Sequence, residues 1–515
     1  MNRPDAWWRT AVVYHCYVRS FQDSDGDGLG DLPGVISRLD YLADLGIDAL
    51  WLAPFHPSPD ADCGYDISDH CAVDPRLGTM ADFDRLVAEA HARGIRIVLD
   101  AVLNHTSTAH PWFVASRAAP AGPKRDWYLW RDRPNRWMSV FGGSAWTRDP
   151  GNGKWYFHSF LPEQADVDWR NPEVRQAQFD VLRFWAGRGV DGFRFDVFNC
   201  WFKDAAFRDN PRRVGVRAFD RQRHIRDIDQ PEMREALREL RGVFDGYLVG
   251  ETFLPSPEKS AGYVGGDALD AAFDFSFLDR VWRADRFRVR IDRWRTALGD
   301  RWPCWVMGNH DWPRPASRYG SDARCRIATT LLLTLPGTAF LYYGDELGLR
   351  DLRLPRRLVR DPLGRRYWPF HRGRDGIRTP MAWDRTAQGG FTRGTPWLPV
   401  APDAGERSVE AQSEQPESLL AWTRSLLALR RAHPAFAGGE FQWADGGVGD
   451  VLAFRRGSSS GGAVVALNMS GRGGSWRVPE GRWRVGMSSA GGRGEVPGGE
   501  ICAIAPLEAL VLLPV

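Results

Sequence analysis

Residues 191–197, Asp-Gly-Phe-Arg-Phe-Asp-Val, form a short apolar run that carries an arginine and two aspartates. Arg194 and Asp196 are two positions apart, so on an extended strand their side chains point to the same face. A guanidinium beside a carboxylate keeps that carboxylate ionised. A fixed anion at the end of a strand suits a nucleophile that attacks an electron-poor carbon. A buried structural ion pair has the same pattern, so the pair alone leaves both interpretations open.

Three further polar clusters stand where other apolar runs end. A single acid at such a position is usually a helix cap or a solvated turn residue. Four successive clusters instead indicate one polar site that is assembled from several strand ends. The three further clusters are Asp100-Ala101-Val102-Leu103-Asn104-His105, Gly250-Glu251-Thr252 and Gly308-Asn309-His310-Asp311.

The segments that would position these clusters alternate between predicted strands and amphipathic predicted helices. Continuously apolar runs such as residues 95–100 are typical of a parallel sheet that is buried on both faces. We count eight strands, the number that closes a (β/α)8 TIM barrel, which predicts an α/β fold. The predicted strands are 11–17, 49–53, 95–100, 192–196, 247–251, 271–275, 304–309 and 339–343, and the predicted helices are 34–45, 80–93, 173–187, 231–244, 288–298, 322–335 and 418–432.

Two long stretches interrupt this alternation. The Trp- and Gly-rich residues 104–169 follow the third strand and are too long for a simple loop, which predicts a subdomain over the barrel mouth. The Arg- and Pro-rich residues 348–400 follow the eighth strand and predict a second wall of the pocket. Short alternating strands after about residue 436 predict an antiparallel β-sandwich. The expected domains are the barrel (1–103 and 170–432), the inserted subdomain (104–169) and the C-terminal sandwich (433–515).

The composition is that of a globular protein with two or three domains, since 43% of the 515 residues are apolar and 26% are charged. A net charge of +3 favours neither a nucleic acid nor a membrane as partner. Seven scattered cysteines without metal-ligand spacing indicate reduced thiols. Residues 1–5 lack the apolar core of a signal peptide, and no apolar run is long enough to span a membrane. We therefore expect a cytoplasmic protein.

The four clusters, in their order along the chain, resemble the motifs of the α-amylase superfamily, glycoside hydrolase family 13. Flanking segments resemble its α-glucosidase and oligo-1,6-glucosidase branch over almost the whole chain, and only the C-terminal region is generic. The resemblance implies hydrolysis of small oligosaccharides or α-glucosides without an organic cofactor, by a monomer or weak homo-oligomer. The flanking segments are Ser20-Phe21-Gln22-Asp23, Gly64-Tyr65-Asp66-Ile67-Ser68-Asp69, Phe141-Gly142-Gly143-Ser144-Ala145-Trp146, Arg208-Asp209-Asn210-Pro211, Tyr343-Gly344-Asp345-Glu346 and Gly373-Arg374-Asp375-Gly376.

The resemblance implies roles for three carboxylates. Asp196 becomes the nucleophile, Glu251 the general acid/base and Asp311 the stabiliser of the transition state. The chemistry agrees, because retention at the anomeric carbon needs two carboxyl groups roughly 5 Å apart, one attacking and one protonating the leaving oxygen. Glu251 must be protonated at the start of the cycle, whereas Arg194 would keep Asp196 anionic.

The resemblance also implies a set of residues that bind the innermost sugar. His105 and His310 would form hydrogen bonds with it, and Tyr65 would stack on it. Asp62 would hold its far hydroxyls, and Arg374 would close over the same ring. Phe141 and Phe160 from the insertion are candidate aromatic walls. A structural histidine or a loop arginine is the alternative for these positions.

An acidic loop follows the first predicted strand. Its acids alternate in Asp23-Ser24-Asp25-Gly26-Asp27-Gly28-Leu29-Gly30-Asp31, a pattern that suits a hard cation. An EF-hand needs Glu at the twelfth position, where this chain has Gly34. The loop resembles the structural Ca²⁺ (or Mg²⁺) site of the oligo-1,6-glucosidase branch, which implies Asp23, Asp25, Asp27 and Asp31 as carboxylate ligands and Leu29 as a carbonyl ligand. A solvated acidic turn is the alternative.

The residue after the nucleophile bears on the bond that is cut. In this branch Val is typical there of enzymes that act on α-1,6 bonds, and Ala or Thr of α-1,4 enzymes. Val197 therefore predicts activity on α-1,6 linkages, alone or alongside α-1,4. The segments 14–19 and 165–168, and Trp312, depart from the branch pattern and bear on the leaving-group side.

Two other functions are compatible with parts of this pattern. An α-glucosyl transferase, or an isomerase such as a trehalose or isomaltulose synthase, would share the three carboxylates. A non-catalytic relative, like the heavy chains of amino-acid transporters, would lack them and carry a membrane anchor. The presence of Asp196, Glu251 and Asp311 argues against the latter.

Overall fold

The computed structural model describes residues 6–119, 121–458, 462–491 and 494–515, so the prediction made for residues 1–5 lies outside them. None of the helices in these ranges is long and apolar enough to cross a membrane. The α-helices in these ranges are α1 (Leu32–Ser37), α2 (Leu39–Leu45), α3 (Met80–Ala92), α4 (Pro111–Ala118), α5 (Pro172–Ala186), α6 (Met233–Val243), α7 (Pro257–Gly262), α8 (Ala284–Leu298), α9 (Pro315–Tyr319), α10 (Asp322–Thr334), α11 (Pro362–Tyr367), α12 (Val409–Ser413) and α13 (Leu419–Ala432).

The strands form one large parallel sheet and several smaller antiparallel sheets. They are β1 (Val12–Cys16), β2 (Ala49–Leu52), β3 (Arg96–Ala101), β4 (His105–Ser107), β5 (Trp130–Arg131), β6 (Trp146–Arg148), β7 (Trp155–Phe157), β8 (Gln164–Asp166), β9 (Gly192–Phe195), β10 (Tyr247–Gly250), β11 (Ala271–Ala272), β12 (Cys304–Val306), β13 (Thr338–Tyr342), β14 (Phe441–Trp443), β15 (Gly447–Val448), β16 (Val451–Arg456), β17 (Ala463–Asn468), β18 (Gly474–Arg477), β19 (Arg482–Ser488), β20 (Glu495–Pro497), β21 (Ile501–Ile504) and β22 (Ala509–Pro514).

The parallel sheet is the predicted barrel. Its eight strands run in the order β11-β10-β9-β3-β2-β1-β13-β12, and a single parallel bridge between Asp274 and Trp305 joins the two ends. Helices cover its outer surface, and large side chains such as Trp51 and Phe340 fill its interior. The register places Asp100 of β3 opposite Arg194 of β9. The barrel therefore brings two of the four polar clusters side by side.

One predicted helix differs from the observed structure. Residues 34–45 were expected to form a single helix, but the chain breaks at Arg38 into α1 and α2. The Arg38 guanidinium lies 4.2 Å from the centre of the Trp383 ring, and its Nε donates to Gln22 (2.8 Å). Contacts with residues far along the chain thus hold Arg38 outside helical geometry, which the local apolar period does not reveal.

The inserted segment and the C-terminal segment each have sheets of their own. In the insertion β4 pairs with β8, and β5, β7 and β6 form a second small sheet around Trp137, Trp146 and Phe157. At the C-terminus a six-stranded and a three-stranded antiparallel sheet share a core that includes Val464 and Trp476. This confirms the predicted fold class: a barrel, an insertion after its third strand and an antiparallel C-terminal sandwich.

Candidate active site

The predicted site residues meet in a cavity of about 680 Å³ at the carboxyl ends of the barrel strands. The cavity is lined by ten of the eleven predicted catalytic and sugar-binding residues: Asp62, Tyr65, His105, Phe141, Phe160, Asp196, Glu251, His310, Asp311 and Arg374. The eleventh, Arg194, lies fully buried next to its floor. The barrel therefore brings together residues that are up to 312 positions apart in the sequence.

Arg194 joins the two candidate catalytic carboxylates. Its Nη1 donates to Asp196 (2.9 Å) and to Asp100 (2.6 Å), and its Nη2 contacts Glu251. Burial alone would lower the pKa of Arg194, but Asp100 and Asp196 raise it above its ordinary range, so the guanidinium is charged. Burial raises the pKa of Asp100 itself to about 7, although Arg194 opposes this shift.

Asp311 is held by two arginines at the other side of the cavity. Arg374 donates to Asp311 Oδ1 at 3.0 Å and Arg378 donates to the same atom at 2.9 Å. Burial alone would raise the pKa of Asp311, but His310 and these arginines lower it well below its usual range. Asp311 is therefore an anion next to the reacting pair.

The buried end of the cavity is built around Asp62. Arg374 Nη2 donates to Asp62 (2.6 Å), and Arg374 Nε donates to the buried Asp361 (2.7 Å). Gln164 Nε2 lies 3.2 Å from Asp62 Oδ2 and 3.1 Å from His105 Nε2. Asp62, Gln164 and His105 are all buried, so these contacts form the buried end of the cavity.

Aromatic and histidine side chains also line the cavity. Tyr65 stacks on His310 at a ring distance of 5.1 Å and donates to Asp100 (3.1 Å). Phe160 lies 5.3 Å from His105 and 5.9 Å from Phe141, ring centre to ring centre. Burial lowers the pKa of both His105 and His310, although nearby carboxylates oppose this shift. Val197 packs in the same cluster as Phe141 and Phe160.

Three residues of the site were missed from the sequence. Gln164 lies between Asp62 and His105, and Asp361 orients Arg374. Arg378 is fully buried and donates to Asp311. The sequence signal for Asp361 and Arg378 is weak, because both lie in an arginine-rich loop whose path cannot be derived from local patterns.

The acidic loop gathers three of its four predicted carboxylates. Oxygen atoms of Asp23, Asp25 and Asp27 lie within 4.8 Å of one another. Such a group of hard oxygen donors fits a divalent cation like Ca²⁺. Asp31 is not brought into this group: it accepts hydrogen bonds from Ser24 and caps α1 through the Gly34 amide (2.6 Å). Asp31 therefore borders the cluster.

Comparisons with known proteins agree with this geometry. A family model described as the α-amylase catalytic domain matches residues 15–439. The chain is 42% identical to a probable α-glucosidase of Rhizobium meliloti (strain 1021), over 92% of this chain and 91% of that protein. It is 37% identical to an oligo-1,6-glucosidase of Parageobacillus thermoglucosidasius, over 84% and 85% of the two chains. The crystal structure of an α-glucosyl transfer enzyme, XgtA, superposes with a TM-score of 0.92 at 39% identity, covering 99% of this chain and 100% of that one.

The family model covers most of the chain, and the relatives match over most of their own length. The chain therefore belongs to the α-amylase family, glycoside hydrolase family 13, and is a glycoside hydrolase of the α-glucosidase and oligo-1,6-glucosidase type.

Proposed function

We propose that this protein is a retaining, exo-acting α-glucosidase that releases α-glucose from the non-reducing end of short α-glucosides. The observation that carries the proposal is the shared guanidinium of Arg194, which contacts both Asp196 and Glu251 at the floor of the cavity. Two carboxylates on one guanidinium fit the short separation of retaining enzymes, roughly 5 Å. Asp311 adds a third carboxylate to the same cavity.

Each carboxylate has a distinct role in the proposed reaction. Asp196 attacks the anomeric carbon, while Glu251 gives its proton to the leaving oxygen as the bond between them breaks. Glu251 then removes a proton from water, which attacks the glucosyl ester and releases glucose with its configuration retained. The anionic Asp311 stabilises the positive charge that develops on the sugar in both transition states.

The ion pairs at the buried end of the cavity support exo-action. Arg374 pairs there with Asp62 and Asp361, and these pairs would obstruct a longer glucan beyond the innermost sugar. Carboxylates such as Asp62 accept hydrogen bonds from sugar hydroxyls, so this end fits a terminal glucose. Cleavage within soluble starch is therefore expected to be minor.

The sharpest test replaces the nucleophile with its neutral isostere. Asp196→Asn is expected to lower kcat for p-nitrophenyl α-glucoside at least about 10³-fold, because no covalent intermediate can form. The control Asp40→Asn removes a carboxylate from the exposed face of α2 and is expected to keep wild-type activity. Proton NMR of early products from wild type is expected to show α-glucose first. Activity that survives Asp196→Asn, or β-glucose as the first product, would contradict the proposal.

Glucosyl transfer is the second candidate, and it is favoured by the likeness to the α-glucosyl transfer enzyme. The two functions share the covalent step and differ in whether water or a second hydroxyl attacks it. Product analysis at high maltose concentration separates them. Mostly free glucose indicates hydrolysis, whereas trisaccharides and rearranged disaccharides indicate transfer.

We also propose that the acidic loop holds one structural divalent cation, Ca²⁺ or Mg²⁺, between Asp23, Asp25 and Asp27, with the Leu29 carbonyl as a further ligand and Asp31 at its border. The support is the cluster of three carboxylates at the start of the barrel. When bound, the cation would neutralise their mutual repulsion and fix the loop. We further propose that the enzyme is cytoplasmic, which the absence of disulfide bonds among the described residues supports.

A further inference from the structure

Two surface segments are strongly basic, although the chain as a whole is nearly neutral. Residues 211–226 and 350–378, here called the rim segments, contain sixteen arginines and four aspartates. Their net charge is therefore +12, and the rest of the chain carries −9, since the total is +3. Such a separation of charge creates a positive potential over one part of the surface.

Both rim segments border the open side of the active-site cavity. The first contributes Arg217 and Phe219 to its lining, and the second contributes Leu363 and His371. The second segment also reaches the insertion, because the Tyr367 hydroxyl fills the space that a Cβ on Gly142 would need. The rim segments thus place arginines beside the entrance through which a substrate must pass.

The outer part of the cavity is mostly apolar. Its partly exposed lining includes Val140, Phe253, Leu254 and Trp312, and 42% of the Trp312 surface is exposed. Phe253 extends the aromatic wall to the entrance through an edge contact with Phe219 at 5.8 Å. This surface suits an apolar ring.

Polar side chains are distributed unevenly between the two ends of the cavity. The carboxylates and the amide that suit sugar hydroxyls, such as Asp62 and Gln164, lie in the buried end. In the described chain, the partly exposed lining residues with ionisable side chains are Asp311, Arg374, Arg217 and His371. Asp311 and Arg374 belong to the buried network, which leaves Arg217 and His371 in the outer part. The outer part therefore offers the Arg217 guanidinium and few partners for a second sugar.

We infer that a favoured substrate is an α-glucoside of a hydroxybenzoate-type acid. Its leaving group is then a phenol whose aromatic ring carries a carboxylate. This inference rests on the proposed function. The glucose occupies the buried end, the aromatic ring lies on Trp312, and the carboxylate faces Arg217 of the first rim segment. As the bond from the anomeric carbon to the phenolic oxygen breaks, its electron pair stays on the oxygen and Glu251 supplies the proton.

Arg217 is the residue through which the charge effect can be measured. Arg217 belongs to the first rim segment and lines the cavity, and about a third of its side chain is exposed. It forms two hydrogen bonds of 3.0 Å to Asp220. Removing Arg217 lowers the positive charge at the entrance, and neutralising Asp220 raises it. The two changes are therefore expected to have opposite effects.

The experiment compares two nearly isosteric substrates, the α-glucoside of 4-hydroxybenzoate and that of its methyl ester. The ratio of kcat/KM for the acid to that for the ester is measured at low and at high salt. In wild type the ratio is expected to fall at least about threefold at high salt, because salt screens charge over roughly 10 Å. At low salt Arg217→Gln is expected to lower the ratio and Asp220→Asn to raise it.

A matched control is Arg85→Gln, which removes the same charge from the exposed surface of α3, outside the cavity lining. It is expected to leave the ratio unchanged. Because both substrates are measured on one preparation, the ratio does not depend on how much of a variant folds. A ratio that is insensitive to salt and to both rim variants would overturn the inference. Failure to cleave either substrate would instead overturn the proposed function.

Discussion

At the scale of single residues, the identity of position 197 bears on the bond that is cut. Val197 follows the proposed nucleophile directly and has a positive φ of 35°. It packs with Phe141 and Phe160 in the wall of the cavity. A side chain in this place would contact a substrate bound at the proposed nucleophile, so a small change in its shape would alter the fit of the leaving group.

We predict that Val197→Thr lowers the ratio of isomaltose to maltose cleavage severalfold. Thr is β-branched like Val, so the backbone at this positive φ is strained to a similar degree in both proteins. The measurement is kcat/KM for each disaccharide in both enzymes, and the ratio cancels any loss of active enzyme. An unchanged ratio, or a wild type that cleaves maltose far faster than isomaltose, would refute the assignment of Val197.

Asp62 is expected to make activity depend on pH. Burial raises its pKa to about 6, although Arg374 and Arg378 oppose the shift. Below pH 6 Asp62 therefore takes up a proton and no longer pairs with Arg374 as an anion. We predict that kcat/KM for p-nitrophenyl α-glucoside falls as the pH decreases through about 6.

Asp62→Asn is expected to lower kcat/KM at all pH values and to remove this acid limb. A limb that stays near pH 6 in Asp62→Asn would assign it to another group, such as Asp100. Protonation of Asp100, whose pKa lies at about 7, would weaken its ion pair with Arg194.

At the scale of elements, the loop between β1 and α1 links the first barrel strand to a wall of the cavity. Asp23 accepts hydrogen bonds from the amides of Asp25, Gly26 and Gly28, and from the Thr392 hydroxyl. These bonds fix the loop against the segment that follows the eighth barrel strand. A cation bound here would reinforce this junction.

We predict that Ca²⁺ raises the Tm of the protein and that EDTA lowers it. A cation that binds only the folded state stabilises it by about 2.7 kcal/mol at a hundredfold excess over its Kd. Asp27→Asn keeps the geometry that accepts the Leu29 amide but removes one charge, so the response to Ca²⁺ is expected to weaken. Asp40→Asn on α2 is the matched control. An equal Ca²⁺ response in Asp27→Asn, or none in wild type, would exclude the proposed site.

At the scale of the whole molecule, one buried arginine connects the C-terminal sandwich to the barrel. Arg456 of β16 is fully buried and donates to the carbonyl oxygen of Thr334 on α10. It also donates to the carbonyls of Glu440 (3.0 Å) and Gly438 (2.5 Å). These carbonyls would lose their donor without the guanidinium.

We predict that Arg456→Met lowers the free energy of unfolding by about 3 kcal/mol, since it leaves buried acceptors without partners. Urea denaturation measures this change. Because Arg456 does not line the cavity, kcat/KM of the folded variant is expected to match wild type. Arg482→Met on the exposed part of β19 is the control, with an expected effect within about 0.5 kcal/mol. Equal stability of Arg456→Met and wild type would contradict this role.

The sequence by itself determined the barrel and its polar end. Apolar runs and amphipathic periods are local properties, so the eight strands could be counted, and the acids that follow them had to meet at one end of a parallel barrel. This is why Asp196, Glu251 and Asp311 lie around one cavity. The C-terminal sandwich was also predicted, from short alternating strands.

Only the tertiary structure decided which long-range partners surround these acids. The positions of Gln164, Asp361 and Arg378 depend on the paths of long loops, whose conformation is set by packing and not by a repeating local pattern. The break at Arg38 and the position of the rim segments beside the entrance likewise depend on contacts between distant parts of the chain. Local periodicity specifies an element, whereas contacts between distant elements specify the chemistry around it.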